Sequence, residues 1–236
     1  MPTLKFIERL PKENNREYAY RLLRYNIMTL ELEPGTPLNE NEICEELSIS
    51  RTPVHEAMTM LKSEYLVDIV PQSGSSVSLI SLKNVREGLF LRSTIEPAIY
   101  RILGGNMPVA SLKQMREIIA QVERKLESEE SISIDDFIQL DDTLHRIAYE
   151  AAQKPLLWTA MKNVCSHYDR IRYQGTVFQV QDLTQIHQEH KALYEYLLLG
   201  GSPNFNLDEF YQNHLSYFKS FFPKLIEATP QYFTEE

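Results

Sequence analysis

Cysteine is scarce: Cys44 and Cys165 stand far apart, without the close spacing of a metal-binding knuckle. That excludes a disulfide framework and fits a reducing compartment, where both read as small buried residues. Long apolar runs are missing too, since the longest, such as Tyr196 to Leu199, are far too short to span a bilayer. The first twenty residues carry Lys5, Glu8, Arg9, Lys12, Glu13 and Arg16 without an apolar stretch, so they form neither a secretory signal nor an anchor. A cytoplasmic chain with no membrane partner is the expectation. Basic residues are in deficit, 24 against 33 acidic ones, for a formal net charge of -9. Phosphate contacts need Lys or Arg, so any nucleic-acid role must rest on local geometry rather than bulk charge. Internal repeats and low-complexity tracts are absent, as is a His-Glu-x-x-His motif of a metallohydrolase.

What remains is an ordinary folded chain of 236 residues, 43% hydrophobic and 24% charged, long enough for two cores. Leu22, Leu23, Tyr25 to Met28 and Leu30 suit a first helix, stopped by Glu33-Pro34-Gly35-Thr36-Pro37. Asn39 is placed to cap a second helix reciprocally with Glu42, burying Ile43 and Leu47. After a tight turn at Ser48 and Ile49, Ser50 caps a third helix with Pro53 in its first turn and Val54, Ala57, Met58 and Leu61 on one face. Then the period becomes two: Val67, Ile69 and Pro71 alternate, and Gln72-Ser73-Gly74-Ser75 turns the chain into Val77 and Leu79, a two-stranded wing. From Lys83 onward only helical periodicity is visible, first to Gly104-Gly105, then through Leu112 to Leu126. Further helices are expected over 135–152, 156–173, 184–199 and 207–222. The predicted class is mainly α, with a winged helix-turn-helix over 1–80 and an all-α helical bundle over 81–236.

Helix, helix, tight turn, helix and hairpin is the element order of a winged helix-turn-helix, whose third helix enters the major groove. Ser50, Arg51 and Thr52 put a hydroxyl, a guanidinium and a second hydroxyl at the positive end of that helix, suited to phosphates and base edges. His55 lies one turn on, and Gly74 marks the wing tip. The plainer readings are that Ser50 only caps, Arg51 is a solvated charge and Gly74 serves the turn. The run Leu47-Ser48-Ile49-Ser50-Arg51-Thr52-Pro53-Val54-His55-Glu56-Ala57, preceded by Glu33-Pro34-Gly35 and Leu38-Asn39-Glu40, resembles the DNA-binding domain of the GntR family of regulators. The resemblance implies that Arg51 and Thr52 contact double-stranded operator DNA, with Ser50 and His55 beside them and Gly74 letting the wing approach the minor groove. The family pattern usually has Arg where this chain has His55. A mostly neutral imidazole cannot reproduce a bidentate Arg fork, which bears on operator sequence and affinity.

In the second half, histidines occupy positions where apolar residues are expected. His190 falls in the row Ile186, His190, Leu193, Leu197, and His214 in the row Leu207, Tyr211, His214, Phe218, Phe221, so both should point inward. Asp141 and His145 are neighbours one helical turn apart, flanked by Leu140, Leu144, Ile147 and Ala151. Any one of these reads as a core imidazole satisfied by a hydrogen bond. Together, three imidazoles and a carboxylate from three helices suit a divalent ion of the Zn, Ni or Mn kind. The competing reading is a polar network in which Asp141 only orients His145. His187, one turn before His190, is a less favoured stand-in ligand and reads as a residue supporting the ligands or as a surface one, and His167 has no assigned role.

This half resembles the effector domain of FadR-type GntR regulators, called FCD, whose pattern of an Asp and a His four apart, then Glu-His, then a final His is met by Asp141 with His145, Glu189-His190, and His214. The resemblance implies that Asp141, His145, His190 and His214 hold the metal, and that an Arg on the domain's first helix meets the carboxylate of a small organic acid. Arg92 fits that position, although an ion pair with Glu96 would equally explain it. The functional expectation is therefore a homodimeric regulator, a repressor rather than an activator, whose operator binding responds to a carboxylic or sugar acid held beside the metal. Dimerisation is expected because one reading helix gives too little contact and paired half-sites multiply it. A metal-free or metal-sensing regulator and, further off, a metal-dependent hydrolase are the alternatives.

Overall fold

A computed structural model describes residues 4–128, 132–177 and 182–236 of the chain, with the side chains of 176–177 and 217–221 outside the described residues; Phe218 and Phe221 are among the latter. The chain forms two compact units. The first combines Met1–Arg86 with Asn163–Gln174 and Ile226–Glu236; the second combines Glu87–Lys162 with Gly175–Leu225.

In the first unit α1 (Asn15–Met28) begins with a capping box, in which the Asn14 side chain takes the Glu17 amide and Glu17 returns to the Asn14 amide. It buries Leu22, Leu23 and Ile27 against the face of α3 (Arg51–Ser63) that carries Val54, Met58 and Leu61. Between them β1 (Pro37–Leu38) leads into α2 (Glu40–Leu47), which ends on Ser48 in the left-handed region. Asn39 caps α2 as predicted, but through the amide of Asn41; its side-chain amide donates to Glu42 in place of the expected reciprocal backbone bond. The wing is β2 (Val67–Val70) and β3 (Gly74–Val77), paired antiparallel with Ile69 opposite Ser75 and Val70 opposite Gly74.

Two features of this unit have no local signature in the sequence. β1 pairs with β3, so the predicted two-stranded wing is a three-stranded sheet in the order β1-β3-β2. Farther along, β4 (Ile80–Ser81) pairs in parallel with β5 (Phe233–Thr234), so the helical reading of everything after Lys83 is corrected at the carboxyl-terminal end. Residues 163–174 also belong to this unit: Ser166 Oγ donates to the Glu64 carbonyl at 2.8 Å, and the fully buried Arg170 donates to the Ser78 carbonyl at 2.9 Å. His167, to which no role was given, is buried and accepts the Ser81 amide through Nδ1. Burial and the nearby Arg170 charge depress its pKa to about 3, so this imidazole is a neutral structural acceptor.

Gly74 sits at φ +102, a region that side chains with a Cβ rarely adopt, although a methyl group there would meet nothing within 4 Å. The glycine is therefore required by the backbone and not by crowding. Gly74→Ala is expected to lower the unfolding free energy by about 1 kcal/mol, measured by urea denaturation. An unchanged midpoint would show that the wing relaxes away from this conformation.

The second unit is built from helices, because its segments carry a 3.6-residue apolar period and are too long for strands. α4 (Leu82–Leu103) holds Pro97 within its length and is followed by Gly105 at φ +79. α5 (Val109–Glu127) packs against α6 (Ile134–Ala151) and α9 (Leu183–Leu198), and α10 (Leu207–Ala228) completes the set. The single helix expected over 156–173 is two, α7 (Pro155–Val164) and α8 (Ser166–Val177), broken at the buried Cys165. On α4 Val85 and Ile99 are buried whereas Ile102 is half exposed.

Candidate operator-reading face and candidate metal centre

α3 starts at a backbone cap on Ser50, whose side chain makes no capping hydrogen bond, contrary to the predicted capping role. Ser50, Arg51, Thr52 and His55 are all exposed, because the apolar row Val54, Ala57, Met58, Leu61 takes up the opposite face. A concave surface brings Arg51 and His55 together with Asn39 and Asn41 from the start of α2 and with Ser73 and Gly74 from the wing; Ser50 and Thr52 are not among its walls. A residue that sequence reasoning left out organises this surface. Glu40, largely covered, meets Arg51 Nε at 3.4 Å with one oxygen and His55 Nδ1 at 2.8 Å with the other, while Arg51 and His55 keep 75% and 61% of their side chains exposed. Its place in the capping run gave no sign of this, since a Glu in the first turn is already explained by the helix dipole.

The basic residues crowded near the start of the sequence are mostly committed elsewhere. Arg21 is held by Glu13 and Arg24 by Glu64, which also accepts the Tyr20 hydroxyl, and Arg9 lies over the Tyr18 ring at 4.2 Å. Arg51 and His55, though both meet Glu40, stay well exposed on this surface.

In the second unit the predicted imidazoles converge. One ring nitrogen each from His145 on α6, His190 on α9 and His214 on α10 lie within 4.8 Å of one another, and the ring centroids are 5.3 to 6.1 Å apart. The i, i+4 rows of α6 and α9 turn these side chains inward, and His145 and His190 are buried at 1% and 4% exposure. Asp141, one turn before His145, places Oδ1 3.1 Å from His190 Nε2, so it adjoins the group through His190. Neither ring nitrogen of His145 has a hydrogen-bond partner, an arrangement costly for a buried imidazole unless something else binds it. Burial lowers its pKa against the pull of Glu96 and Asp141, favouring the neutral form that ligates metals. The converging set is the three imidazoles, which fit a divalent ion of the borderline kind; Asp141 stands outside it, beside His190.

Arg92 is buried on α4 and its Nε donates to Glu96 Oε1 at 2.7 Å, the ion pair that is one of its two readings. Glu96 is itself fully buried, and its other oxygen lies 3.5 Å from His145 Nδ1. Of the two places read for His187, beside the ligands or at the surface, the structure has the first: it is buried and lines a narrow cavity with Ile119, Val122, Phe137 and Leu144, beside Asp141 and His190. The 3.6-residue period could not place it, because it depends on how α9 meets α5.

A winged helix-turn-helix followed by a helical domain with an inward-facing histidine cluster defines the class of one-component transcription regulators. The comparisons agree and narrow it: residues 15–77 match the bacterial regulatory proteins of the gntR family, and residues 87–202 match the FCD domain. The HTH-type transcriptional repressor RspR of Escherichia coli K12 is 34% identical over 165 residues, 70% of this chain and 71% of that protein. The gluconate operon transcriptional repressor of Bacillus subtilis is 26% identical over 176 residues, 73% of this chain and 71% of that one. The solved structure of E. coli McbR/YncC has the same fold, with a TM-score of 0.67 at 14% identity over 92% of this chain and 99% of that one. The chain belongs to the GntR family and carries an FCD effector domain; its relatives are transcriptional regulators and not enzymes. Among the described residues no helix is long and apolar enough to cross a membrane.

Proposed function

We propose that this regulator is a homodimeric repressor that releases its operator when a small carboxylic or sugar acid joins a divalent metal ion in the FCD domain. Asp141, His145, His190 and His214 hold the ion, and Arg92 meets the carboxylate of the acid. Ser50, Arg51, Thr52 and His55 read the operator from the major groove, and Gly74 brings the wing to the minor groove. The observation that carries the metal part is the convergence of three imidazoles from three helices, one of them buried with both nitrogens unsatisfied. The names of two relatives as repressors, one of a gluconate operon, favour repression and an acid of the sugar-acid class. When bound, the ion would supply a Lewis-acidic anchor for a ligand carboxylate. The chain's own part is to exclude water from that point, to present neutral ring nitrogens to it and to set Arg92 nearby.

The ligand must bind the two states of the regulator unequally to change DNA affinity, so metal, acid and DNA binding should be linked. Elemental analysis of the purified chain is expected to find about one divalent ion per chain. Genomic DNA captured by the protein supplies the operator, and a panel of sugar acids and short carboxylates is then screened for release. Calorimetry with the metal-loaded protein should show one of these acids binding and weakening the operator complex. A metal-loaded protein that binds no acid on the panel while a metal salt alone releases DNA would favour a metal sensor.

A further inference from the structure

Glu96 lies on α4 with no exposed surface, and its two oxygens face different partners. Oε1 accepts from Arg92 Nε at 2.7 Å; Oε2 has no hydrogen-bond partner and points at His145 Nδ1, 3.5 Å away, which has none either. The same device recurs on the third imidazole, where His214 Nδ1 meets Glu189 Oε2 at 2.5 Å. The Arg92 guanidinium on Oε1 makes Glu96 the acceptor half of a buried ion pair, so Oε2 faces His145 as a carboxylate oxygen. An ionised carboxylate behind Nδ1 fixes the proton there and leaves Nε2 with its lone pair.

We propose that Glu96 is a positioning residue of the metal centre: it holds the Nδ1–H tautomer of His145 so that Nε2 faces the ion, and Arg92 fixes Glu96 in turn. This rests on the metal reading above. The 3.5 Å separation exceeds the usual N–H···O length of about 2.9 Å, so the contact guides the ring electrostatically more than it clamps it. A consequence follows for the effector. A ligand carboxylate engaging Arg92 must share the guanidinium with Glu96, so acid binding and metal affinity change each other by the same factor. Arg92 then serves as the junction between the two ligands and not as an anion site standing apart from the metal.

The test compares the full-length wild type, E96Q and the double variant R92L/E96L, which replaces the buried pair by apolar side chains and leaves no charge stranded. Long-range 1H–15N NMR reads the His145 tautomer without metal, and zinc affinity is read by competition with a chromophoric chelator. The expected result is Nδ1-protonated His145 in the wild type, with affinity about 10- to 100-fold lower in the double variant and a smaller loss in E96Q, whose carbonyl can still accept. If the double variant does not fold, E96Q and the wild-type tautomer carry the test. An Nε2-protonated His145 in the metal-free wild type, or variants that keep wild-type tautomer and affinity, would overturn the role of Glu96 alone. A wild type that takes up no zinc would overturn the metal reading and this one with it, an outcome distinct from zinc uptake that is equal in wild type and variants.

Discussion

Alanine at His190 is expected to weaken zinc binding by more than about a hundredfold, beyond the 10- to 100-fold typical of losing a residue that only supports a ligand. Asp141 places Oδ1 3.1 Å from His190 Nε2, so removal of His190 takes one imidazole out of the cluster and leaves Asp141 without that contact. His145 and His214 each pack edge to face on His190, 5.3 Å between centroids, and lie 6.1 Å from each other, which puts His190 in the middle of the set. Ligand binding to the folded state alone stabilises by RT ln(1 + [L]/Kd), about 2.7 kcal/mol at a hundred times Kd. Excess zinc should therefore raise the melting temperature of the wild type and leave that of His190→Ala where it is. Because alanine opens a cavity in a buried place, the comparison is made within each protein, with and without zinc. Equal thermal shifts in the two proteins would mean that the ion, if bound, lies elsewhere.

That site was legible in the sequence because amphipathic helices announce which residues face inward, and a histidine in an apolar row stands out against leucine and tyrosine. His145, His190 and His214 needed only their registers. Glu96 did not stand out, since one turn from Arg92 it is already explained as an i, i+4 partner, and its approach to His145 depends on how α4 meets α6. Glu40 was hidden for a similar reason: a first-turn Glu satisfies a helix rule by itself, and its grip on Arg51 and His55 is a tertiary event. The fold shows the same division. The reading helix and wing follow from periods of 3.6 and 2, together with Pro53 and Gly74. The pairings of β1 with β3 and of β4 with β5 involve two-residue strands, too short to leave a period, and β5 lies some 150 residues from its partner. The break at Cys165 falls in a continuous helical pattern and is set by Ser166 meeting the Glu64 carbonyl, a contact between residues far apart in the chain.

Arg51→Ala is expected to cost about 1 to 3 kcal/mol in operator binding, the range for losing a good bidentate contact to a base edge or a cluster of phosphate contacts. The chain's net charge of -9 gives little help from bulk attraction, so a single well-presented guanidinium matters more here than on a basic protein. Glu40 bears on the size of the effect in two opposing ways. Its contact with Arg51, 3.4 Å at Nε, holds the side chain over the reading surface before DNA arrives. The same carboxylate repels approaching phosphates and must be shared or displaced when Arg51 engages DNA. Glu40→Gln separates these contributions: tighter operator binding with a steeper salt dependence would show that repulsion dominates, and weaker binding that pre-orientation does. The measurement is Kd against salt concentration, on operator and on unrelated duplex, for wild type, Arg51→Ala and Lys113→Ala. Lys113 is exposed on α5 in the other unit and serves as the control for lost charge alone. If Arg51 reads a base, its loss narrows the gap between operator and unrelated DNA; if it grips a phosphate, both weaken alike and the salt slope falls by about one. A variant that binds both duplexes as the wild type does would remove Arg51, and with it the start of α3, from the reading surface.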